Sequence, residues 1–222
     1  MSNLRYAAVL SVPLLLTLST HAQAETELSF YSGYQTAPHS VTRGDDPEAT
    51  WTDEFTAGWD GKSFSMPPYY GVRATHWGAN NWGWGAEFSH DKVYADDESL
   101  GKGGYDRLEL TDGHNIFTIN AMRRWPGKWG EKLTPYVGGG IGFAMPHVDI
   151  QATGGSHTFG YQVTGPAIRA TAGASYALSD HWAAFAEYQG TYSQNKIELD
   201  NGGSLDFKVI TNALNIGVSY SF

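Results

Sequence analysis

Leu205-Asp206-Phe207-Lys208-Val209-Ile210-Thr211-Asn212-Ala213-Leu214-Asn215-Ile216-Gly217-Val218-Ser219-Tyr220-Ser221-Phe222 closes the chain. From Leu214 on, the even positions are Leu214, Ile216, Val218, Tyr220 and Phe222, and the odd ones are Asn215, Gly217, Ser219 and Ser221. A strand sends alternate side chains to opposite faces, so this stretch predicts a strand with one apolar and one small, polar face. In a soluble protein such a free terminal strand is an aggregation hazard.

A closed barrel removes the hazard. In a bacterial outer-membrane barrel this stretch is the closing strand, and its final aromatic residue resembles the assembly signal of that class, which implies the barrel-assembly machinery as a partner. Alternating segments between turn signals predict eight strands. They lie near Leu28–Thr36, Tyr69–Trp77, Trp82–Tyr94, Gly113–Trp125, Leu133–Ile150, Phe159–Leu178, His181–Leu199 and Leu205–Phe222. The connections alternate in length. Gly78–Asn81, Pro126–Lys132 and Ser179–Asp180 are short, whereas Thr36–Pro68 and Ala95–Asp112 are long. Gln151–His157 and Asp200–Ser204 fall between. Short periplasmic turns and longer outer loops are the asymmetry of a membrane barrel. The expected fold is therefore all-β, an eight-stranded antiparallel transmembrane β-barrel in the outer membrane.

Residues 1–24 read as a secretory signal, with Arg5, an apolar run from Ala7 to Leu18 and a small-x-small site at Ala22-Gln23-Ala24. The run is shorter than the roughly 20 residues of a spanning helix. The barrel is then expected over residues 25–222. Beyond the signal, 13 Lys and Arg face 23 Asp and Glu, which argues against nucleic acid as a partner. The chain contains no cysteine, so neither disulfide nor thiolate metal site is available.

Trp77, Trp82, Trp84, Trp125, Trp129 and Trp182 flank the short turns, and Tyr136, Tyr176, Tyr220 and Phe222 fall at the same level. Amphipathic rings favour the membrane interface, so these predict a periplasmic girdle. Parity sends Val72, Phe88, Ile119, Ile141, Leu214 and Ile216 to lipid. It sends Arg73, Glu87, Asn120, Arg124, Arg169, Glu187 and Asn215 to the lumen. A small barrel is filled by its own side chains, and charges buried there must pair, so a structural hydrogen-bonded network is expected.

The first outer loop, about residues 37–67, is longer than a structureless connection usually is, and it carries Trp51, Phe55, Trp59, Phe64 and Met66. Such residues predict folding over the mouth or against lipid, with part of Trp51–Ser65 extending the second strand. Two runs here carry a family resemblance. Ser29-Phe30-Tyr31-Ser32-Gly33-Tyr34-Gln35-Thr36-Ala37-Pro38-His39-Ser40 is similar to the start of the rhizobial lipid A oxidases. Gly61-Lys62-Ser63-Phe64-Ser65-Met66-Pro67-Pro68-Tyr69-Tyr70-Gly71-Val72-Arg73 resembles the same family. The resemblance implies an outer-membrane enzyme on lipid A or lipopolysaccharide that uses dioxygen. It would oxidise the proximal glucosamine to 2-aminogluconate and release peroxide.

The resemblance supplies no catalytic residue; the candidates come from parity. Asp91 and His114 point inward from neighbouring strands at one level. His39 continues from the inward Gln35, and Glu87 lies one level deeper. Carboxylate and imidazole together suit general acid–base work or a divalent metal. No flavin or nicotinamide fingerprint is present. Arg43, Lys62, Lys92, Lys102, Arg107, Lys196 and Lys208 are candidate contacts to lipid phosphate. Two other readings compete: a non-enzymatic structural or adhesive barrel, and an acyl hydrolase. Hydrolysis on a barrel of this shape goes with a His-x-Ser pair on a late strand, which this sequence lacks.

Overall fold

The computed structural model describes residues 24–222, so the expected signal segment lies, apart from Ala24, outside the described residues. The elements are β1 (Glu25–Asp45), β2 (Glu54–Asp60), β3 (Tyr70–Trp77), β4 (Trp82–Ala95), α1 (Asp97–Gly103) and β5 (Tyr105–Arg124). They continue as β6 (Leu133–Ala144), β7 (His147–Ala152), β8 (His157–Tyr161), β9 (Gly165–Ala177), β10 (Trp182–Glu198) and β11 (Ser204–Ser221). The ring β1-β3-β4-β5-β6-β9-β10-β11 closes because β11 pairs back onto β1, from Leu28 with Tyr220 to Thr36 with Asn212. All pairings are antiparallel, as the sequence predicts.

The outer connections hold more structure than expected. The segment 37–67 is largely sheet: β1 continues to Asp45, and β2 fits between β1 and β4 above the end of β3. Of the segment 95–112, residues 97–103 form α1 and Tyr105 already opens β5. Asp96 caps α1, its carboxylate accepting from Ser99 N at 2.8 Å. The fifth and sixth expected strands are each broken in two. Pro146 separates β6 from β7, and β7 and β8 form a hairpin paired to the upper part of β5.

Alternation reverses along the strands. In the lower part of β11, Leu214, Ile216 and Val218 are exposed and Asn215 and Ser219 are buried. In its upper part Leu205, Phe207 and Val209 are buried, while Asp206 and Lys208 are exposed. β10 does the same, with Tyr188 outward below and Ile197 inward above. Apolar residues turn outward where the solvent is lipid and inward where it is water. The reversal falls near Thr211, Ser193 and Asp91 and marks the outer edge of the bilayer.

Above that edge the barrel is closed by its own core, not by an open mouth. Val93, Leu108, Leu110, Val148, Ile150, Ile197, Leu199, Leu205 and Phe207 form one apolar cluster, with Trp59 packed on Phe207 at 5.1 Å between ring centroids. Trp51 and Phe55, expected in a loop, pack against this cluster. Below the edge the exposed face carries Phe30, Val72, Ile119, Ile141, Ile168 and Ile216, which is the lipid belt. Trp82, Trp84, Trp129 and Trp182 are exposed at the other end as the girdle. Trp77 and Tyr136 depart from that expectation. Both are buried in the lumen with Met122 and Phe185, because they share parity with the inward residues of their strands.

Candidate functional site

The lumen is layered. Lowest is the aromatic floor of Trp77, Met122, Tyr136 and Phe185. Arg124 lies over the Trp77 ring at 4.5 Å and pairs with Glu25 at the periplasmic rim.

Next comes the charged network. Arg73 Nη2 lies 2.9 Å from Glu187 Oε2, and Arg73 Nη1 lies 3.7 Å from Glu87 Oε2. Arg169 Nη1 meets Glu87 Oε1 at 3.0 Å. Glu87 also accepts from Tyr31 Oη at 2.5 Å, Asn120 Nδ2 at 2.6 Å and Gln189 Nε2 at 2.7 Å. Tyr136 Oη donates to Glu187 at 2.6 Å. A side chain in place of the hydrogen of Gly71 would strike the Tyr31 ring, so that glycine gives the ring its room. Burying ions is costly unless they are paired and their remaining polar atoms satisfied; the pairing holds here, while Arg73 Nε keeps no hydrogen-bond partner. Arg124 stands apart, so two arginines, not three, build the network.

Above it sits a buried polar layer, here termed the chamber. Asp91 accepts from Thr211 Oγ1 at 3.1 Å through Oδ2, while its Oδ1 is buried without a partner. His114 Nε2 lies 2.7 Å from Ser193 Oγ, and its Nδ1 is likewise buried and unpartnered. Asn195 Nδ2 donates to Ser193 Oγ at 3.0 Å. Arg169 Nη2 donates to Ser89 Oγ at 2.6 Å, tying the chamber to the network.

Of the four sequence candidates, Asp91 and His114 are register partners on β4 and β5 and share the chamber. Glu87 sits one layer deeper, held from every side. His39 is elsewhere. A register shift between Ala37 and Ser40 turns it outward, where it is exposed and within electrostatic reach of Asp96. Ser193 is the residue that sequence reasoning missed. Its parity with Glu187, Gln189 and Thr191 signals the lumen. Its meeting with His114 joins residues 79 positions apart on strands that are not neighbours. The contact supplies the Ser–His proximity that the His-x-Ser search did not find. The serine is enclosed, however, and no third group orients the imidazole through Nδ1. Among the described residues no three His, Asp or Glu side chains converge as a metal ion needs. The chamber's donors do not make up a divalent-ion site.

Beside the chamber the wall has a seam. β1 leaves β3 after Ser32 with Tyr70 and meets β2 only at Ala37 with Trp59. β4 leaves β3 at His90 and meets β2 only at Tyr94 and Ala95. In between, the Gln35 side chain spans the gap with two hydrogen bonds to the backbone of Lys92. Ser63 Oγ accepts from Gln35 N at 2.8 Å and holds the following loop in place. Outside the seam lies a groove of about 600 Å³ lined by Tyr34–Ala37 and Trp59–Ser65.

A family model described as outer membrane protein beta-barrel domain matches residues 10–222. Neisserial surface protein A aligns at 14% identity and a TM-score of 0.50, over 89% of this chain and 97% of its own. The outer membrane protein OprG of Pseudomonas aeruginosa aligns at 12% identity and a TM-score of 0.47, over 91% and 97%. The Ail attachment invasion locus protein of Yersinia pestis aligns at 16% identity and a TM-score of 0.44, over 90% and 99%. No curated protein matches the sequence. At these identities the likeness speaks for the fold alone.

Proposed function

Because the chain belongs to the outer membrane protein β-barrel domain family and resides in the bacterial outer membrane, we propose that it modifies lipid A there, oxidising the proximal glucosamine to 2-aminogluconate with dioxygen. The observation that carries the reading is a convergence. The two runs that resemble the lipid A oxidases, 29–40 and 61–73, are far apart in sequence but flank the same seam. Tyr34–Ala37 form one wall of the groove and Gly61–Ser65 the other. The same runs send Tyr31, Tyr69 and Arg73 into the lumen. Residues shared for reasons of barrel architecture alone have no need to gather at one break in the wall.

The chemistry is a two-electron oxidation at C1 of a proximal glucosamine whose anomeric hydroxyl is free, that is, of lipid A without a phosphate on C1. Two hydrogens leave the sugar, dioxygen takes them up as hydrogen peroxide, and water opens the resulting lactone to the acid. The chain's contribution would be to place the sugar at the seam and to hold or move the proton at Asp91 and His114, whose Oδ1 and Nδ1 atoms are buried without a hydrogen-bond partner. Glu87 would act as the anchor of the Arg73 and Arg169 network beneath them.

Mass spectrometry of lipid A from cells expressing the protein, grown with and without oxygen, tests this. A gain of one oxygen atom in air only is the expected result. Unchanged lipid A beside a correctly folded barrel would overturn it in favour of a non-enzymatic structural or adhesive barrel. The sealed lumen is the observation on the side of that second reading.

A further inference from the structure

We propose that the groove beside the seam holds one acylated, anionic lipid of the outer leaflet, with its negative group at Lys62 and a chain running down past Phe64 and Tyr34. The inference rests on the lipid A reading for the kind of lipid, and it adds a binding site and the residue that recognises charge.

The level comes first. Tyr94 stands about a dozen residues above the girdle residue Trp82 on β4, and a tilted strand crosses the hydrocarbon in roughly 9–11 residues. The Tyr94 ring is therefore at the height of the headgroups. Lys62 Nζ lies 4.7 Å from the centroid of that ring, and Lys92 Nζ lies 5.0 Å from it. Two ammonium groups thus gather at one aromatic ring. Glu109 acts electrostatically on both lysines and Asp112 on Lys92; Lys92 is buried, so Lys62 is the exposed member that an arriving anion meets. Asp60 also lines the groove; it gives the groove a mixed character and confines the favourable place for an anion to the Lys62 end.

The apolar half follows. Phe64 is 73% exposed and Met66 85% exposed, at the tip of a short loop that the bond from Gln35 N to Ser63 holds in place. Exposed apolar tips in water would be a liability. Here they stand over the lipid belt, continuous with Tyr34 and Phe30 below. A water-soluble protein partner would have to displace lipid to reach them.

Native mass spectrometry of the full chain, released from nanodiscs with equal amounts of phosphatidylcholine and phosphatidic acid, provides the test. Phosphatidic acid should be retained at least 5-fold over phosphatidylcholine. Lys62→Glu should bring the ratio to about one, Lys62→Arg should preserve it, and Phe64→Asp should reduce retention of both lipids. These side chains are exposed, and heat-modifiable migration confirms the folded barrel in each variant. An unchanged ratio in Lys62→Glu would overturn the proposal. So would displacement of the lipid by millimolar inorganic phosphate, which would make a free anion the ligand. A retained preference with unoxidised lipid A would sink the oxidase reading and leave this one standing. Oxidised lipid A with no lipid preference would do the reverse.

Discussion

Gln35 stands in for a strand: its Nε2 donates to Lys92 O at 2.9 Å, and Lys92 N donates to its Oε1 at 2.8 Å. One side-chain amide thereby reproduces the pair of bonds that a neighbouring backbone would make. A membrane barrel cannot leave backbone groups unpaired next to lipid. Gln35→Leu keeps the volume and removes both bonds. Each orphaned group costs about 1–3 kcal/mol, so the seam should loosen while the rest of the ring stays paired. Hydrogen exchange at the Lys92 amide should accelerate strongly, with the amides of β10 and β11 unchanged. A Lys92 amide as protected as before would mean that the loop from Gly61 to Pro68 closes the wall without Gln35.

Glu87 is the hub of the buried network, so its removal should register as stability before it registers as chemistry. Glu87→Ala takes from Arg169 its carboxylate partner in the lumen, while Arg73 keeps Glu187. Breaking one side of a buried pair costs about 3–5 kcal/mol. The midpoint of urea unfolding in lipid should fall by a corresponding amount, with Glu87→Gln between the two. Lipid A oxidation per folded molecule should stay within a few-fold of the native protein. A loss of 100-fold or more in fully folded Glu87→Gln would return Glu87 to the chemistry.

Asp91 and His114 carry the opposite expectation. Each keeps one buried polar atom without a hydrogen-bond partner, and so a place at which a proton can be taken up or released. Asp91→Asn and His114→Gln change charge or basicity with little change in shape. Each should lower oxidation about 10²–10⁴-fold, the usual weight of a general acid or base, with little change in unfolding midpoint. His39→Ala, on the outer face, should leave the rate alone. Full activity in both chamber variants would discard the assignment without touching the fold.

Much of this could be read in advance, and the failures have identifiable causes. Two-residue periodicity placed Glu87, Asp91, His114, Arg169 and Glu187 inward, because a closed strand ring leaves parity no freedom. His39 was misplaced by the same counting: one extra residue between Ala37 and Ser40 flips everything beyond it. Trp77 and Tyr136 were assigned to the girdle on residue type, although Arg73 and Thr75 on β3 already announced an inward parity for Trp77. The reversal in β11 was equally visible, with Leu205, Phe207 and Val209 at odd positions and Leu214 and Ile216 at even ones. The two alternations differ because lipid lies outside the lower part and water outside the upper, and the apolar cap follows from that change of solvent. The seam was beyond reach, since it depends on where three strands stop pairing. So was the contact of His114 with Ser193, which crosses the lumen.

The cap makes its own prediction. Phe207 is fully enclosed above the bilayer edge and packs on Trp59. Phe207→Ala should cost about 3–5 kcal/mol by lost burial and the cavity left behind. The loss should be local. Limited proteolysis should cut 46–53 or α1 far faster than in the native protein, while the membrane part of the barrel keeps its heat-modifiable migration. Loss of the whole barrel instead would show that cap and membrane section fold as one cooperative unit.

The cap is also fastened by a carboxylate, and this gives a pH dependence with a definite sign. Glu48 Oε2 accepts from Ser156 N at 2.8 Å and from Ser156 Oγ at 2.5 Å, and Asn201 Nδ2 approaches it at 3.2 Å. It thereby joins the turn after β7 to the turn before β11. Those donors favour the ionised form and hold the Glu48 carboxyl below its ordinary value. A group whose folded pKa is depressed contributes its stabilisation fully above the unfolded value, near 4.5, and loses it as pH falls through the folded one. The fastening should therefore be fully present above the unfolded value near 4.5 and release as pH falls below it, through the depressed folded value. Glu48 is exposed, so the effect on global stability should be small, and the readout must be local. Hydrogen exchange at the Ser156 amide, corrected for its intrinsic pH dependence, should quicken in that acid window. In Glu48→Gln it should be quick at every pH. Protection in Glu48→Gln equal to that of the native protein at neutral pH would show that Ser156 is held by the hairpin itself, with Glu48 only resting against it.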